Sequence, residues 1–320
     1  MIQPLPTVQV GNTALRVSQL GMGTAPIGNL YGGVTDAQAI ETVQKSFELG
    51  IRYFDTAPLY GSGVAEMRVG MALKGIPRDQ FVLQTKVGRL VREDGSIEFD
   101  YSRDGVLRSL EASLERLQMD RVDILLVHDP DVLQEEAGFR QALNEAFPAL
   151  IELREQGVIS ALGAGMNQWE MEYEFAKHSD PNCFLLAGRY TLLEQTSLEF
   201  LDYCQKRQIS IFPGGVYNSG ILVTGATPGA KYNYRDAPAE IMEKTRRLQE
   251  VIAPYGVPLH VVAQHFARSH PAISGLIIGS VKPSEAEDNR AIWDAEIPSQ
   301  LWADIRAAGL VEAGAPMPVG

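Results

Sequence analysis

The sequence predicts an α/β fold, a (β/α)8 TIM barrel forming a single domain over residues 1–320, with an N-terminal β-hairpin closing its bottom. Three observations carry that expectation. Short apolar runs alternate with longer helical patterns along the whole chain, which implies parallel strands joined by right-handed crossovers. The turn after the first of these runs, Gly21-Met22-Gly23-Thr24-Ala25-Pro26, has Pro26 where a doubly wound dinucleotide fold would carry its third glycine. Four polar, titratable side chains, Asp55, Tyr60, Lys86 and His128, stand just past apolar runs, where a barrel gathers chemistry at the C-terminal ends of its strands.

The elements follow in order. Thr7–Val10 and Ala14–Val17 flank a Gly11-Asn12 turn and read as the hairpin. Strands are expected at 19–22, 53–55, 81–86, 123–128, 159–164, 183–187, 209–213 and 275–278. Between them, apolar residues recur at helical spacing over 36–49, 65–73, 103–117, 139–156, 170–177, 198–206, 239–253 and 258–267. No Pro/Gly-rich linker divides the chain. Two connections, 89–102 and 225–238, exceed the usual loop length and are expected to shape access to the strand ends. The Pro- and Gly-containing tail, 314–320, is expected to lie over the mouth.

Composition bounds the function. Apolar residues make up 45% of the chain, enough for a large core, yet no run approaches the roughly 18 residues of a membrane span. A net charge of −12 argues against nucleic acid or an anionic membrane as partner. The N-terminus, Met1-Ile2-Gln3-Pro4-Leu5-Pro6, lacks a basic segment followed by an apolar one, so a cytoplasmic location is expected. Cys183 and Cys204 have no metal-ligand spacing and read as reduced core thiols, and no metal is expected.

The four strand-end residues suit one kind of chemistry. Oxidising a hydroxyl to a carbonyl requires a base for the hydroxyl proton, a donor at the developing alkoxide and a nearby hydride acceptor. Tyr60 can be that base only if a cation lowers its phenol from the ordinary pKa of about 10. Lys86 is placed to be the cation, Asp55 to hold Lys86, and His128 to donate to the substrate oxygen.

In this order and on successive strand ends, Asp55, Tyr60, Lys86 and His128 resemble the tetrad of the aldo-keto reductase family. The resemblance implies hydride transfer between a carbonyl carbon and a nicotinamide cofactor stretched across the C-terminal face. Gly163–Asn167 and Leu185–Leu193 are similar to the family's aldose 1-dehydrogenase branch, which has pyridoxal 4-dehydrogenase and L-galactose dehydrogenase as relatives. The implied reaction oxidises the C1 hemiacetal hydroxyl of an aldose, of the L-fucose, D-arabinose or L-galactose class, to a lactone. Pyridoxal 4-dehydrogenase activity and a cofactor-binding regulatory subunit are the alternatives, and a monomer is the family's default.

The resemblance also implies a cofactor site. Gly23, Thr24 and Asp55 would contact the cofactor, Asn167 its nicotinamide carboxamide, and Gly215, Tyr217, Asn218, Ser219 and Gly220 its pyrophosphate. A glutamine common in the family corresponds to Ala187, which leaves more of the carboxamide contact to Asn167. Gly279, Ser280, Val281, Lys282, Glu285, Asp288 and Asn289 would meet the adenosine end. Glu285 stands where an arginine is usual and Gly279 where a lysine is frequent, so NAD is expected, with Lys282 leaving NADP possible. Substrate contacts are expected from Tyr60, His128, Arg89 and Trp169, and from loops around Met22 and Leu59.

Overall fold

The structure, a computed structural model, describes residues 4–318 except Tyr31 and Gln134. Strands β1 (Thr7–Gln9) and β2 (Arg16–Ser18) pair antiparallel as the N-terminal hairpin. Next come β3 (Leu20–Gly23), β4 (Tyr53–Asp55) and β5 (Val82–Val87), a small hairpin of β6 (Arg89–Val91) and β7 (Ile97–Phe99), then β8 (Ile124–His128), β9 (Ala161–Met166), β10 (Cys183–Leu186) and β11 (Ser210–Ile211). A third hairpin, β12 (Lys231–Tyr232) and β13 (Arg235–Asp236), precedes β14 (Leu276–Gly279). Both long connections are therefore short antiparallel ribbons.

Eight strands, β3, β4, β5, β8, β9, β10, β11 and β14, pair in parallel, each with the next in the chain, and β14 returns to β3. The barrel closes between β11 and β14: Ile211 N–H donates to Ala272 O (3.0 Å), Ser274 N–H to Ile211 O (2.9 Å) and Ile277 N–H to Pro213 O (3.0 Å).

The helices surround this sheet. They are α1 (Asp36–Glu48), α2 (Val64–Leu73), α3 (Arg103–Leu117), α4 (Glu135–Gln141), α5 (Phe147–Glu155), α6 (Trp169–His178), α7 (Leu198–Arg207), α8 (Ile221–Thr224), α9 (Ala239–Ile252), α10 (Leu259–Phe266), α11 (Pro283–Trp293) and α12 (Ser299–Ala307). Local chemistry sets several starts. Thr35 Oγ1 accepts from Gln38 N–H at α1, and Ser102 Oγ from Gly105 N–H at α3, each satisfying a donor that the first helical turn leaves free. The helix expected over 139–156 is two, joined by a π-turn at Ala142–Ala146. Pro148, without an amide hydrogen, follows that turn and cannot continue a regular ladder across it.

The hairpin's place follows from burial. Val10 and Val17 pack with Tyr53, Ile124, Ala161 and Cys183, the first residues of β4, β8, β9 and β10, so the hairpin plugs the N-terminal end of the barrel. The tail runs to that same end: Met317 and Pro318 share a cleft with Pro6, Gln19 and Gly275. It does not cover the mouth as expected. Buried Ala315 holds it on the helical layer, its carbonyl accepting from Arg306. On α6, Glu172 is wholly buried, and burial, with the charge of Asp129 adding, pushes its carboxyl well above the ordinary range. Among the described residues no helix is long and apolar enough to cross a membrane.

Candidate active site

Alternate residues of a strand point to the same face, and here the inward-facing pairs carry the chemistry. Tyr53 and Asp55 of β4 meet Gln84 and Lys86 of β5 inside the barrel, Tyr53 nearer the plugged end and Asp55 and Lys86 at the C-terminal end. Tyr53 OH donates to Gln84 Oε1 (2.6 Å), and Gln84 Nε2 donates to Asp55 Oδ1 (2.7 Å). Lys86 Nζ donates three times: to Asp55 Oδ1 (2.7 Å), to Thr56 O (2.9 Å) and to the phenol oxygen of Tyr60 (3.0 Å). The Lys86 side chain is 1% exposed, and this carboxylate and these two oxygens accept its three hydrogen bonds. A buried pair this well supplied with hydrogen bonds keeps its geometry, and removing either partner would leave an uncompensated charge.

His128, at the end of β8, completes the group. Its ring lies edge-on to Tyr60, with centroids 5.8 Å apart. Burial, reinforced by Lys86 and Arg89, holds the imidazole well below its usual pKa of 6.5, so the ring is neutral at pH 7. Nε2 faces Asp129 Oδ2 at 3.5 Å, whereas Nδ1 is buried without a partner among the described residues. The proton therefore belongs on Nε2, the nitrogen that faces an acceptor.

Tyr60 departs from the expectation. Its phenol is pushed well above 10, by burial first and then by the charges of Asp55 and Asp129. Arg89 acts in the lowering direction, but burial and these carboxylates outweigh it in the resting protein. Tyr60 is thus a neutral donor at rest, with Lys86 placed to stabilise the phenolate when it forms.

Two adjoining cavities of about 370 and 300 Å3 open at this end of the barrel. The smaller holds Tyr60, Lys86, His128 and Asp129, with Leu59 and Met166. The larger runs from Asp55 and Tyr60 to Gly279, and Gly23, Asn167, Gly215, Tyr217, Asn218, Ser219 and Gly220 all line it. Asn167 Nδ2 donates to Ala187 O (2.8 Å), which fixes its amide beside the position where Ala187 stands. Gly215, Asn218, Ser219 and Gly220 all have positive φ, a run that curls the backbone around the cleft. Asn218 Oδ1 and Thr24 Oγ1 are buried with no partner among the described residues. Thr24 itself sits behind the wall, its N–H donating to Asp55 O.

The expected adenosine residues are engaged with one another. Glu285 Oε2 accepts from Val281 N–H (2.8 Å) at the start of α11, and Lys282 lies 4.0 Å from its other oxygen. Asn289 Nδ2 donates to Ser280 Oγ (3.1 Å), while Tyr217 OH reaches Gln264 and Asn289. Asp288 is exposed, away from the cleft.

Two expected substrate contacts lie outside the cavities. Trp169 packs half-buried on the core at the start of α6, and Arg89 stands behind Asp129, paired with it at 2.9 Å. Met22 is buried in the core. The residues that line the cavities without having been expected include Leu30, Asp129 and Tyr234. Tyr234, at the tip of the β12–β13 hairpin, borders both, and its N–H donates to Ser219 Oγ (2.9 Å). Strand alternation was a signal for Gln84, two residues before Lys86, whereas nothing local singles out Tyr234.

The match to known proteins agrees with this geometry. The aldo/keto reductase family profile matches residues 19–309. Pyridoxal 4-dehydrogenase of Microbacterium luteolum is 37% identical, over 94% of this chain and 97% of its own. D-threo-aldose 1-dehydrogenase of a Pseudomonas species is 33% identical, over 93% and 95%. The holo form of an aldo-keto reductase from Bacillus halodurans superposes with a TM-score of 0.79 at 28% identity, covering 97% of this chain and 98% of that one. The chain belongs to the aldo/keto reductase family of oxidoreductases.

Proposed function

We propose that the protein is a cytoplasmic dehydrogenase that oxidises the C1 hydroxyl of a cyclic aldose hemiacetal to a lactone, with NAD as the preferred cofactor. The observation that carries this reading is the buried Lys86 ammonium, bonded at once to Asp55 and Tyr60 beside a neutral His128. The C1 oxygen fits between Tyr60 OH and His128 Nε2. His128 donates to that oxygen and orients it. The phenolate form of Tyr60, stabilised by Lys86, receives the hydroxyl proton as the C1–H electron pair departs, and so becomes the neutral phenol. The bound nicotinamide supplies the hydride acceptor. A hemiacetal suits this step because its ring oxygen stabilises positive character at C1.

The cleft residues fit such a cofactor. The positive-φ run at 215–220 lets backbone approach a pyrophosphate, and the unpartnered Asn218 Oδ1 and Thr24 Oγ1 border or back the same wall. NAD is favoured over NADP by two features. A Cβ at Gly279 would stand 2.6 Å from Pro26 Cγ, so no basic side chain fits there, and Glu285 places a carboxylate where a phosphate would be repelled. Pyridoxal is the second reading, favoured by the relative at 37% identity, and it uses the same hemiacetal chemistry on an aromatic ring.

Initial rates with L-fucose, D-arabinose, L-galactose and pyridoxal, each with NAD and with NADP, test the proposal. Turnover of an aldose with NAD is expected. Preference for pyridoxal replaces the substrate, preference for NADP overturns the cofactor assignment, and turnover of none overturns the reading.

A further inference from the structure

Among the described residues, Asp129 is the one carboxylate besides Asp55 on the walls of these two cavities, and the reaction as described gives it no task. Its position is fixed from several sides. Its N–H donates to Gly165 O (3.2 Å), and the buried Tyr101 hydroxyl donates to the carbonyls of His128 (2.7 Å) and Asp129 (3.0 Å). Arg89 pairs with Oδ2 at 2.9 Å from the side away from the cavity. Oδ1 has no protein partner among the described residues, and the side chain keeps 23% exposure, in the cavity that holds Tyr60 and His128.

The spacing restricts what such a carboxylate can meet. Asp129 Oδ2 is 3.5 Å from His128 Nε2, the nitrogen that would hold the substrate's C1 oxygen at about 3 Å. A hydroxyl oxygen vicinal to C1 lies about one hydrogen-bond length from the C1 oxygen, which brings it within reach of Asp129. An ionised carboxylate accepts hydrogen bonds and donates none, so it selects a hydroxyl there and disfavours an anion or a bare methylene.

We propose that Asp129, held by Arg89, is a specificity-determining residue that accepts a hydrogen bond from the substrate hydroxyl next to the reacting carbon. The inference rests on the hemiacetal reading above and sharpens it to 2-hydroxylated substrates. Arg89, which lines neither of these two cavities, is the positioning residue that fixes the carboxylate's direction.

The test compares kcat/KM for the preferred aldose and its 2-deoxy analogue in the wild type and in Asp129→Asn. Asparagine tolerates the positive φ of 41° at this position, and its thermal melt checks the fold. The wild type is expected to favour the parent sugar over the deoxy sugar by tenfold to a hundredfold, and Asp129→Asn to lose most of that preference by acting on the parent alone. Arg89→Met is expected to lower the preference less and through KM. Equal losses on both sugars, or no loss, overturn the Asp129 assignment while leaving the hemiacetal reading intact. No turnover of any aldose by the wild type overturns that reading, and this assignment with it.

Discussion

At the strand ends, Asp55, Lys86 and His128 are aimed into the cleft by the register of β4, β5 and β8; in α11, Glu285 of the first turn and Asn289 further along turn back on their own segment. The difference lies in what positions each side chain. A strand-end residue inherits its direction from the pleat, and neighbouring strands fix its height. A residue in a first helical turn is drawn to the unsatisfied amides beside it, whatever ligand comes later. The strand-end group is thus preformed, whereas the segment proposed to meet adenosine has its hydrogen bonds engaged with one another.

The largest expected effect breaks the first half of that contrast. Lys86→Met removes the bridging donor of Asp55 and Tyr60, and kcat is expected to fall by about a hundredfold to ten-thousandfold, with cofactor binding followed by fluorescence retained. An activity near that of the wild type would mean the preformed network is structural only. Next comes pH. Because the Tyr60 phenol is raised well above 10, the fraction able to take a proton grows as pH rises, so oxidation should speed up by as much as about tenfold per unit from neutral to alkaline pH. Reduction of the corresponding lactone or aldehyde, which uses the neutral phenol, should stay level over the same range, and a flat profile for oxidation would remove Tyr60 from the proton transfer.

The smallest effect concerns the helix start. Glu285→Ala deletes the acceptor of Val281 N–H and is expected to cost about 1 kcal/mol in denaturant unfolding. Glu285→Gln keeps an acceptor, so stability should hold while the NAD-to-NADP ratio of kcat/KM falls a few fold. If Gln destabilises as much as Ala, the carboxylate charge rather than its hydrogen bond supports α11.

How far the sequence revealed this molecule follows the same division. The barrel, its plug and the tetrad were legible because alternation and strand-end position leave a local pattern, as at Tyr53-Phe54-Asp55 and Gln84-Thr85-Lys86. Glu285 was legible as a residue of the right place, but its bond to Val281 was not, since cap geometry depends on how the chain enters the helix. Arg89, expected at the substrate, and its ion-pair partner Asp129, of which nothing was expected, differ in placement for a similar reason. Both lie just past strands, and only the β6–β7 hairpin and the left-handed turn at Asp129 decide which of them faces the cavity. The phenol's upward shift was hidden as well, because the sequence shows Lys86 near Tyr60 but not the burial of both.

Glu172 gives the fold a proton inventory unlike that of the unfolded chain. Sealed on α6 with its pKa raised, this carboxyl keeps a proton at pH values where the same group in the unfolded chain has released it. Folding at pH values between the ordinary carboxyl range and the raised one therefore takes up a proton at this position. Its effect on stability is nil below the ordinary carboxyl range, and it turns increasingly unfavourable as pH climbs from there toward the raised value.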